Sequence, residues 1–591
     1  MDMLKIFKYL KKNEWILVLL SIAFITVQVW LDLKLPDYMA EITTLIQMEG
    51  TNFSQIIGPG AYMLLCAVGS MVTAVIVGYF AAKVAAGLSK RLRGLVFDKT
   101  LSFSLEEINR FSIASLITRS TNDVTQIQFI VAMGLQIIVK APILAVWAIM
   151  KISGKSWQLT TATGIAVVVL CMMLAVIILF AIPKFKIIQT LTDNLNRVTR
   201  ENLTGMRVVH AYNAKGYEEN KFEKANMELT KTNLFANRLM AIIGPGMTAI
   251  MSGLSVAIYW IGAYLINEAQ MINRITIFSD IVVFSAYAMQ VVMAFMMVSM
   301  IFIMLPRATV SAKRIMEVLE TEAKIKDGTV TEGKPGIVGE IEFRNVSFKY
   351  PDSENHILRN ISFTAKKGET VAFIGSTGSG KTSLVNLIPR FNDVSEGEVL
   401  VDGINVNNYR QETLHDKIGY VSQSSVLFSG TVTSNVSYGE SGHMHSSLNA
   451  VKEALEIAQG KEFVEKLEGQ YEGQISQGGT NVSGGQKQRI SIARAIYRKP
   501  EIYIFDDSFS ALDYKTDRVL RSALRKETKD ATTLIVAQRI GTIKDADRII
   551  VLEEGEVVGN GTHEQLMDNC ETYQEIAYSQ LSKEELTDGQ K

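Results

Sequence analysis

Asn481-Val-Ser-Gly-Gly-Gln-Lys-Gln-Arg489, then Ile504-Phe-Asp-Asp-Ser508, then Ser510-Ala-Leu-Asp513, follow one another within residues 481–513. Upstream stands a Gly-rich run, Gly375-Ser-Thr-Gly-Ser-Gly-Lys381-Thr382, entered from the apolar run Val371-Ala-Phe-Ile374. Glycines there let backbone N–H groups converge on phosphate oxygens without side-chain clash. Lys381 reaches β- and γ-phosphates, and the Thr382 hydroxyl suits Mg²⁺. This loop alone predicts only a nucleotide site. The three later runs narrow the reading.

Taken together, the loop and the runs at 481–513 resemble the ATP-binding cassette (ABC) ATPases. The resemblance implies ATP and Mg²⁺ as cofactors. Gly375, Ser376, Thr377, Gly378, Ser379, Gly380, Lys381, Thr382 and Ser383 then form the phosphate cradle. Tyr350, at the end of the strand-like Ile341–Phe348 run, stacks on adenine or is merely a packed strand-end tyrosine. Asp506 closes the apolar strand Ile502-Tyr-Ile-Phe and holds Mg²⁺ with Thr382 and Gln423. Gln423, in Tyr420-Val-Ser-Gln, also orients the attacking water. Ser483, Gly484, Gly485 and Gln486 precede a helix, and a serine hydroxyl with glycine N–H groups at a helix N-terminus makes an anion site. In the family that signature closes on the nucleotide of a second ATPase domain, and Asp513 ends the dimer-contact loop. A chain with one ATPase domain must therefore pair.

Two positions break the family pattern. Asp507 stands where the family has Glu, one methylene short for a general base, and small displacements of such a group are costly. Gln538, in Leu534-Ile-Val-Ala-Gln-Arg539, stands where the family has His. An amide can donate to a γ-phosphate but cannot hold or pass a proton. His563 lies further on and reads as structural. Asp507, Gln538 and Gln423 are the catalytic candidates, and the site is expected to bind ATP well and cleave it slowly. The pattern is similar to the degenerate subunit of bacterial heterodimeric multidrug exporters. The expected partner is a second half-transporter carrying Glu and His at these positions.

Composition bounds the rest. At 591 residues, 48% hydrophobic and with net charge zero, the chain is too long for one ordinary domain and gives no basic surface for nucleic acid. All five tryptophans fall in the first half, and the three cysteines form no Cys-x-x-Cys pair, which argues against a disulfide framework or zinc site. Apolar runs near 15–33, 57–82, 129–150, 157–183, 239–266 and 277–305 each supply roughly the 20 residues of a bilayer crossing. Lys5, Lys8, Lys11 and Lys12 precede the first, and no Lys or Arg falls between Lys34 and Lys83, so the N-terminus is expected in the cytoplasm. The first run has no small-residue cleavage motif and is read as a retained span. Charged helical segments 83–128 and 184–238 then lie inside, with short crossbars expected at 111–122 and 208–217. The runs Leu116–Asp123 and Arg200–Ala211 resemble the transmembrane domain of ABC exporters.

The expected fold is a membrane α-helical domain of ABC exporter type with six transmembrane helices and long cytoplasmic extensions, fused to an α/β P-loop nucleotide-binding domain. Expected boundaries are a membrane domain at 1–320, a linker at 321–338, the nucleotide-binding domain at 339–580 and a polar tail at 581–591. Substrate candidates are Met289, Met293, Met296, Met300 and Met304 on one face of the sixth span, which either lines a forgiving cavity or simply packs. Lys140, inside the third span, binds a substrate anion or pairs with a carboxylate on the other subunit. Gln136 and Gln290 are further polar candidates. The expected function is ATP-driven export of drugs or other amphipathic compounds across the cytoplasmic membrane. The alternatives are a dedicated peptide or lipid exporter, or an ATP-binding regulatory membrane protein without transport. Gln423 and the Ser510–Asp513 loop argue against the last, and the fused order of the halves argues against an importer.

Overall fold

The computed structural model describes residues 2–48, 52–153, 156–268, 270, 274–351, 353–439 and 447–580; the tail expected at 581–591 lies outside them. Two compact units emerge, one of residues 1–101 with 113–321, the other of 102–112 with 322–591.

The elements of the first unit are helices: α1 (Asp2–Ile6), α2 (Lys12–Gln47), α3 (Phe53–Leu101), and, after the excursion of 102–112, α5 (Ile113–Thr118), α6 (Val124–Ser153), α7 (Trp157–Thr204), α8 (Met206–Ala211), α9 (Lys215–Ala241), α10 (Ile243–Glu268) and α11 (Arg274–Glu320). Among the described residues, six helices are long and apolar enough to cross a membrane. A helix satisfies its own backbone groups, which is what hydrocarbon demands. At 49 residues α3 measures about 74 Å, more than twice the hydrocarbon thickness, so it overshoots the bilayer as the charged segments require.

The core of this unit joins Val29 and Leu33 of α2, Leu144 and Ala148 of α6, and Phe284, Tyr287, Ala288 and Val291 of α11. The α11 positions recur at three- and four-residue spacing, one helical face. Met289, Met293 and Met296 fall outside that cluster, and Met293 and Met300 are exposed. Met289, Met296 and Met304 are half-buried, so the face is partly covered and partly open.

The crossbars differ from expectation. Residues 111–122 do not form one: α5, a π-helical turn at Arg119–Asp123 and α6 follow on as nearly continuous helix. The short separate helix is α4 (Leu105–Phe111), which belongs to the second unit. Ser104 caps it, and the Glu107 carboxylate returns to the Ser104 N–H at 2.7 Å. Glu107 also accepts the Lys324 N–H at 3.1 Å, while Lys324 Nζ reaches Glu106 at 2.7 Å. In the second segment only 208–211 are helical within α8; Asn213, at φ 52°, turns the chain before α9.

The rest of the second unit is α/β. A four-stranded antiparallel sheet takes β1 (Ile341–Phe348), β2 (Leu358–Ala365), β4 (Glu396–Val401) and β5 (Ile404–Asn405) in the order β2-β1-β4-β5. The central sheet runs β12-β11-β3-β10-β9-β6, with β3 (Thr370–Gly375), β6 (Ile418–Val421), β9 (Ile502–Asp506), β10 (Thr532–Val536) and β11 (Arg548–Glu553) parallel and β12 (Glu556–Gly561) antiparallel at the edge. Every residue of β9 is buried, as expected for a strand covered on both faces. α12 (Lys381–Asn386) follows β3; α13 (Gln411–Asp416), α14 (Val432–Val436), α15 (Leu448–Ile457), α16 (Lys461–Glu465) and α17 (Gly484–Tyr497) come between the sheet strands, and α18 (Tyr514–Glu527) follows β9. The sheets with α12 form one hydrophobic cluster; α15 and α17 anchor another.

Candidate active site

Sheet order builds the site. In parallel sheets, ligands gather beyond the carboxyl ends of the strands. β3, β10, β9 and β6 are consecutive neighbours, so the loops that follow them converge.

Between β3 and α12 the chain turns through Gly375 and Gly380. A Cβ on Gly375 would collide with the Leu552 carbonyl oxygen, and Gly380 sits at φ 95° with Leu358 2.7 Å from where its Cβ would lie. Only glycine fits these two positions. Ser376, Thr377 and Gly378 form the exposed tip, and Ser379 is buried beneath. Lys381 Nζ folds back into the loop, donating to the carbonyls of Gly375 (2.9 Å) and Ser376 (2.7 Å) and to Ser379 Oγ (3.2 Å). Burial pushes its pKa down, opposed by the nearby Asp507 and Asp506 carboxylates. Its ammonium is parked on two carbonyls and a hydroxyl of the loop, contacts that a phosphate chain would compete for.

The Thr382 hydroxyl donates to Asp506 Oδ1 at 3.0 Å, joining the end of β9 to the start of α12. Burial raises the Asp506 pKa, and Asp507 adds to the rise. A buried carboxylate beside a hydroxyl is an oxygen-donor set that suits Mg²⁺. The residues therefore fit that ion. Tyr350 packs edge-on against Phe348, centroids 4.9 Å apart, and its hydroxyl lies 3.0 Å from Ser383 Oγ. The residue stays 39% exposed, which leaves part of it open to a ligand.

Asp507 sits at φ 46°, immediately after β9, with its N–H on the Val536 carbonyl at 3.0 Å. Strands β10 and β6 flank β9, and each sends an amide to the same oxygen. Gln538 Nε2 donates to Asp507 Oδ2 at 2.7 Å, and Gln423 Nε2 approaches that atom at 3.4 Å. The three residues the sequence singles out as catalytic candidates thus meet on one carboxylate oxygen. Burial raises the Asp507 pKa as well, with the Gln423 contact and Lys381 opposing it.

Ser483 caps α17: it accepts from the Gln486 N–H, while Gln486 Oε1 accepts the Ser483 N–H at 2.9 Å. Gly484 has open space around it, and Ser483 and Gly484 are exposed. Asp513 caps α18 through the Thr516 N–H at 3.0 Å. His563 Nδ1 pairs with the Tyr573 hydroxyl at 2.7 Å, away from this site.

In the membrane unit, Lys140 Nζ pairs with Asp32 Oδ2 at 3.1 Å in the same chain, so its carboxylate is not on another subunit. Asp32 is a residue the sequence reading passed over, although it is the one acid in the apolar run 15–33. Gln290 Nε2 approaches the Asp32 carbonyl at 3.3 Å, and Gln136 is exposed.

The ABC transporter transmembrane region model matches residues 18–295, and the ABC transporter model matches residues 358–510. An uncharacterised ABC transporter ATP-binding protein of Mycobacterium tuberculosis is 40% identical over 93% of this chain and 93% of its own. The chain belongs to the ABC transporter family. An ATP-dependent lipid A-core flippase of Pseudomonas savastanoi is 30% identical, covering 83% of this transporter and 80% of that protein. A bacterial Atm1-family ABC exporter solved with ATP bound shares the transporter's fold, with a TM-score of 0.81, 22% identity, and coverage of 97% and 100% of the two chains. The expected architecture, six membrane helices fused to an ATP-binding domain, is the one found.

Burial of Asp506 gives the transporter a measurable signature. Because its pKa is raised in the folded state, the associated stability is full below the unfolded value of 3.8 and is lost as pH rises through the folded one. At neutral pH the ionised carboxylate therefore weighs against folding. Asp506→Asn, which keeps an acceptor for Thr382, is expected to raise the melting temperature of the nucleotide-free protein at pH 7. The gain should shrink toward pH 4 in thermal scans, and added Mg²⁺ and ATP should stabilise the variant less than the native chain.

Proposed function

We propose that this chain is the slow-site half of a heterodimeric exporter. It binds ATP through Tyr350, the loop 375–383 and Lys381, with Mg²⁺ on Thr382, Asp506 and Gln423. The ion would supply charge neutralisation along the phosphates; the chain's own residues position them. Its Ser483–Gln486 signature and Asp513 serve a partner's nucleotide, and the partner's signature covers this site. ATP-driven closure then exports an amphipathic compound across the cytoplasmic membrane, with the N-terminus and the ATPase domain in the cytoplasm.

One observation carries this reading. The Asp507 carboxylate, which the reading assigns to polarising a hydrolytic water, has one oxygen approached by two amides, at 2.7 Å and 3.4 Å. Neither amide can take a proton away, so general-base work has no relay. The Thr382–Asp506 pair and the Lys381 loop, which the reading assigns to binding, lie just after β3 and at the end of β9. Lipid export is the second reading, favoured by the kinship with proteins named lipid A-core flippases.

The test is ATPase activity of the purified chain alone and with the half-transporter that co-purifies from its source. Turnover is expected only in the mixed complex; robust hydrolysis by this chain alone overturns the division of labour.

A further inference from the structure

Two acid–base layers cross the membrane unit, and they differ in what they leave open. In one, Asp37 takes Lys151 Nζ at 2.8 Å and the Tyr287 hydroxyl, with Lys34 Nζ at 3.8 Å. Three donors surround that carboxylate, which ties α2 to α6 and α11 and is saturated. In the other, Asp32 takes Lys140 on Oδ2 and the Ser70 hydroxyl on Oδ1. Valences remain here. Gln290 Oε1 is buried and has no partner among the described residues. Lys140 carries three ammonium protons and engages Asp32 as its one partner among the described residues. The Lys140 and Asp32 side chains keep 20% and 25% exposure, so the pair can be reached. On α6, Phe129, Met133, Gln136 and Lys140 recur every three or four residues outside the core cluster, a strip of about 16 Å that begins apolar and turns polar as it reaches the ammonium.

We infer that the Asp32–Lys140–Gln290 layer is a headgroup site for a zwitterionic amphiphile whose cationic end carries N–H. The inference rests on the exporter reading, whose substrate class it names. The argument is charge balance in a low dielectric. The pair is neutral as it stands. A lone anion on Lys140, or a lone cation on Asp32, leaves one charge uncompensated among apolar helices, which is costly. A zwitterion brings both signs: its anion meets the open Lys140 protons, and its ammonium meets Asp32. The orphaned Gln290 oxygen then accepts an ammonium proton. A quaternary ammonium has no such proton and leaves that acceptor unpaired. The exposed Phe129 and Met133 side chains give the tail an apolar, adaptable surface.

The test uses the mixed complex in nanodiscs of phosphatidylglycerol, without ATP, with three dodecyl-chain probes: phosphoethanolamine, phosphocholine and the plain phosphate monoester. The phosphoethanolamine probe is expected to bind about tenfold tighter than either of the others. The neutral double variant Asp32→Asn with Lys140→Met buries no unpaired charge and should lose that preference. Gln290→Leu should lose only the discrimination against choline. The reversed pair Asp32→Lys with Lys140→Asp should keep zwitterion binding. Competition by diacyl phosphatidylethanolamine placed in the disc supports a bilayer source for the ligand, and its failure to compete supports a free amphiphile; both keep the site. Equal binding of all three probes, or a preference that survives Asp32→Asn with Lys140→Met, overturns it. ATPase activity of the same complex without probe reports separately on the exporter reading.

Discussion

Changing Asp507 to Glu and Gln538 to His together is expected to raise ATP hydrolysis at this chain's own site about a hundredfold, within the range a positioned general base supplies. The measurement is single-turnover hydrolysis in the mixed complex, with the partner's site silenced by removal of its catalytic carboxylate. The geometry says why both changes are needed. Asp507→Glu alone extends the carboxylate but leaves the Gln538 amide, now donating at 2.7 Å, with nowhere to pass a proton. Gln538→His alone supplies a titratable ring but leaves the carboxylate one methylene short. Groups that act as a unit are not additive, so each single variant should gain only a small part of the double's effect. Asp507 also lies at φ 46°, a left-handed conformation that Asp enters more readily than Glu. On the proposed reading, the chain holds a locally comfortable residue where a longer one would serve hydrolysis better, a common exchange of activity for stability. A double variant that hydrolyses no faster than the native chain would remove Asp507 and Gln538 from the explanation.

What the sequence showed, and what it hid, follows the range of each interaction. The loop 375–382 is legible because its chemistry is local: glycines, a lysine and a threonine act within one turn of chain. The meeting of Gln423 and Gln538 on one oxygen of Asp507 is not legible, because it depends on β9 lying between β6 and β10. Resemblance supplied the three positions, and the sheet order supplied their contact. The misplaced crossbar has a different cause. Residues 111–122 carry a helical pattern because they truly are mostly helical, as the run into α6. The break is at Ser112, with φ 61°, and the cue for α4 was the Ser104-x-x-Glu107 capping box just upstream. Asp32 escaped notice because hydropathy averages one acid into an apolar run; its meaning appears only when Lys140, on another helix, is found 3.1 Å away.

The signature offers the sharper asymmetry. Gly484→Asp in this chain is expected to cut steady-state ATPase of the mixed complex by about two to three orders of magnitude, the scale of losing a positioned anion-stabilising group. If the proposed division of labour holds, the same change in the partner's signature should cost only a small fraction. Folding does not confuse the comparison. Gly484 has nothing within 4 Å of where a Cβ would lie, and its φ is not left-handed, so the new side chain meets open space. An acid in the first turn of α17 also complements that helix's dipole, so the variant chain should melt no lower than the native one. The harm arises only when an ATP phosphate is brought to the Ser483–Gly484 end of the helix, because a fixed carboxylate now occupies the anion site and repels it. A stable protein with lost turnover is what a signature that works in another chain's active site produces. Equal losses from the two substitutions would mean that both sites hydrolyse, and the amides on Asp507 would then not be a brake.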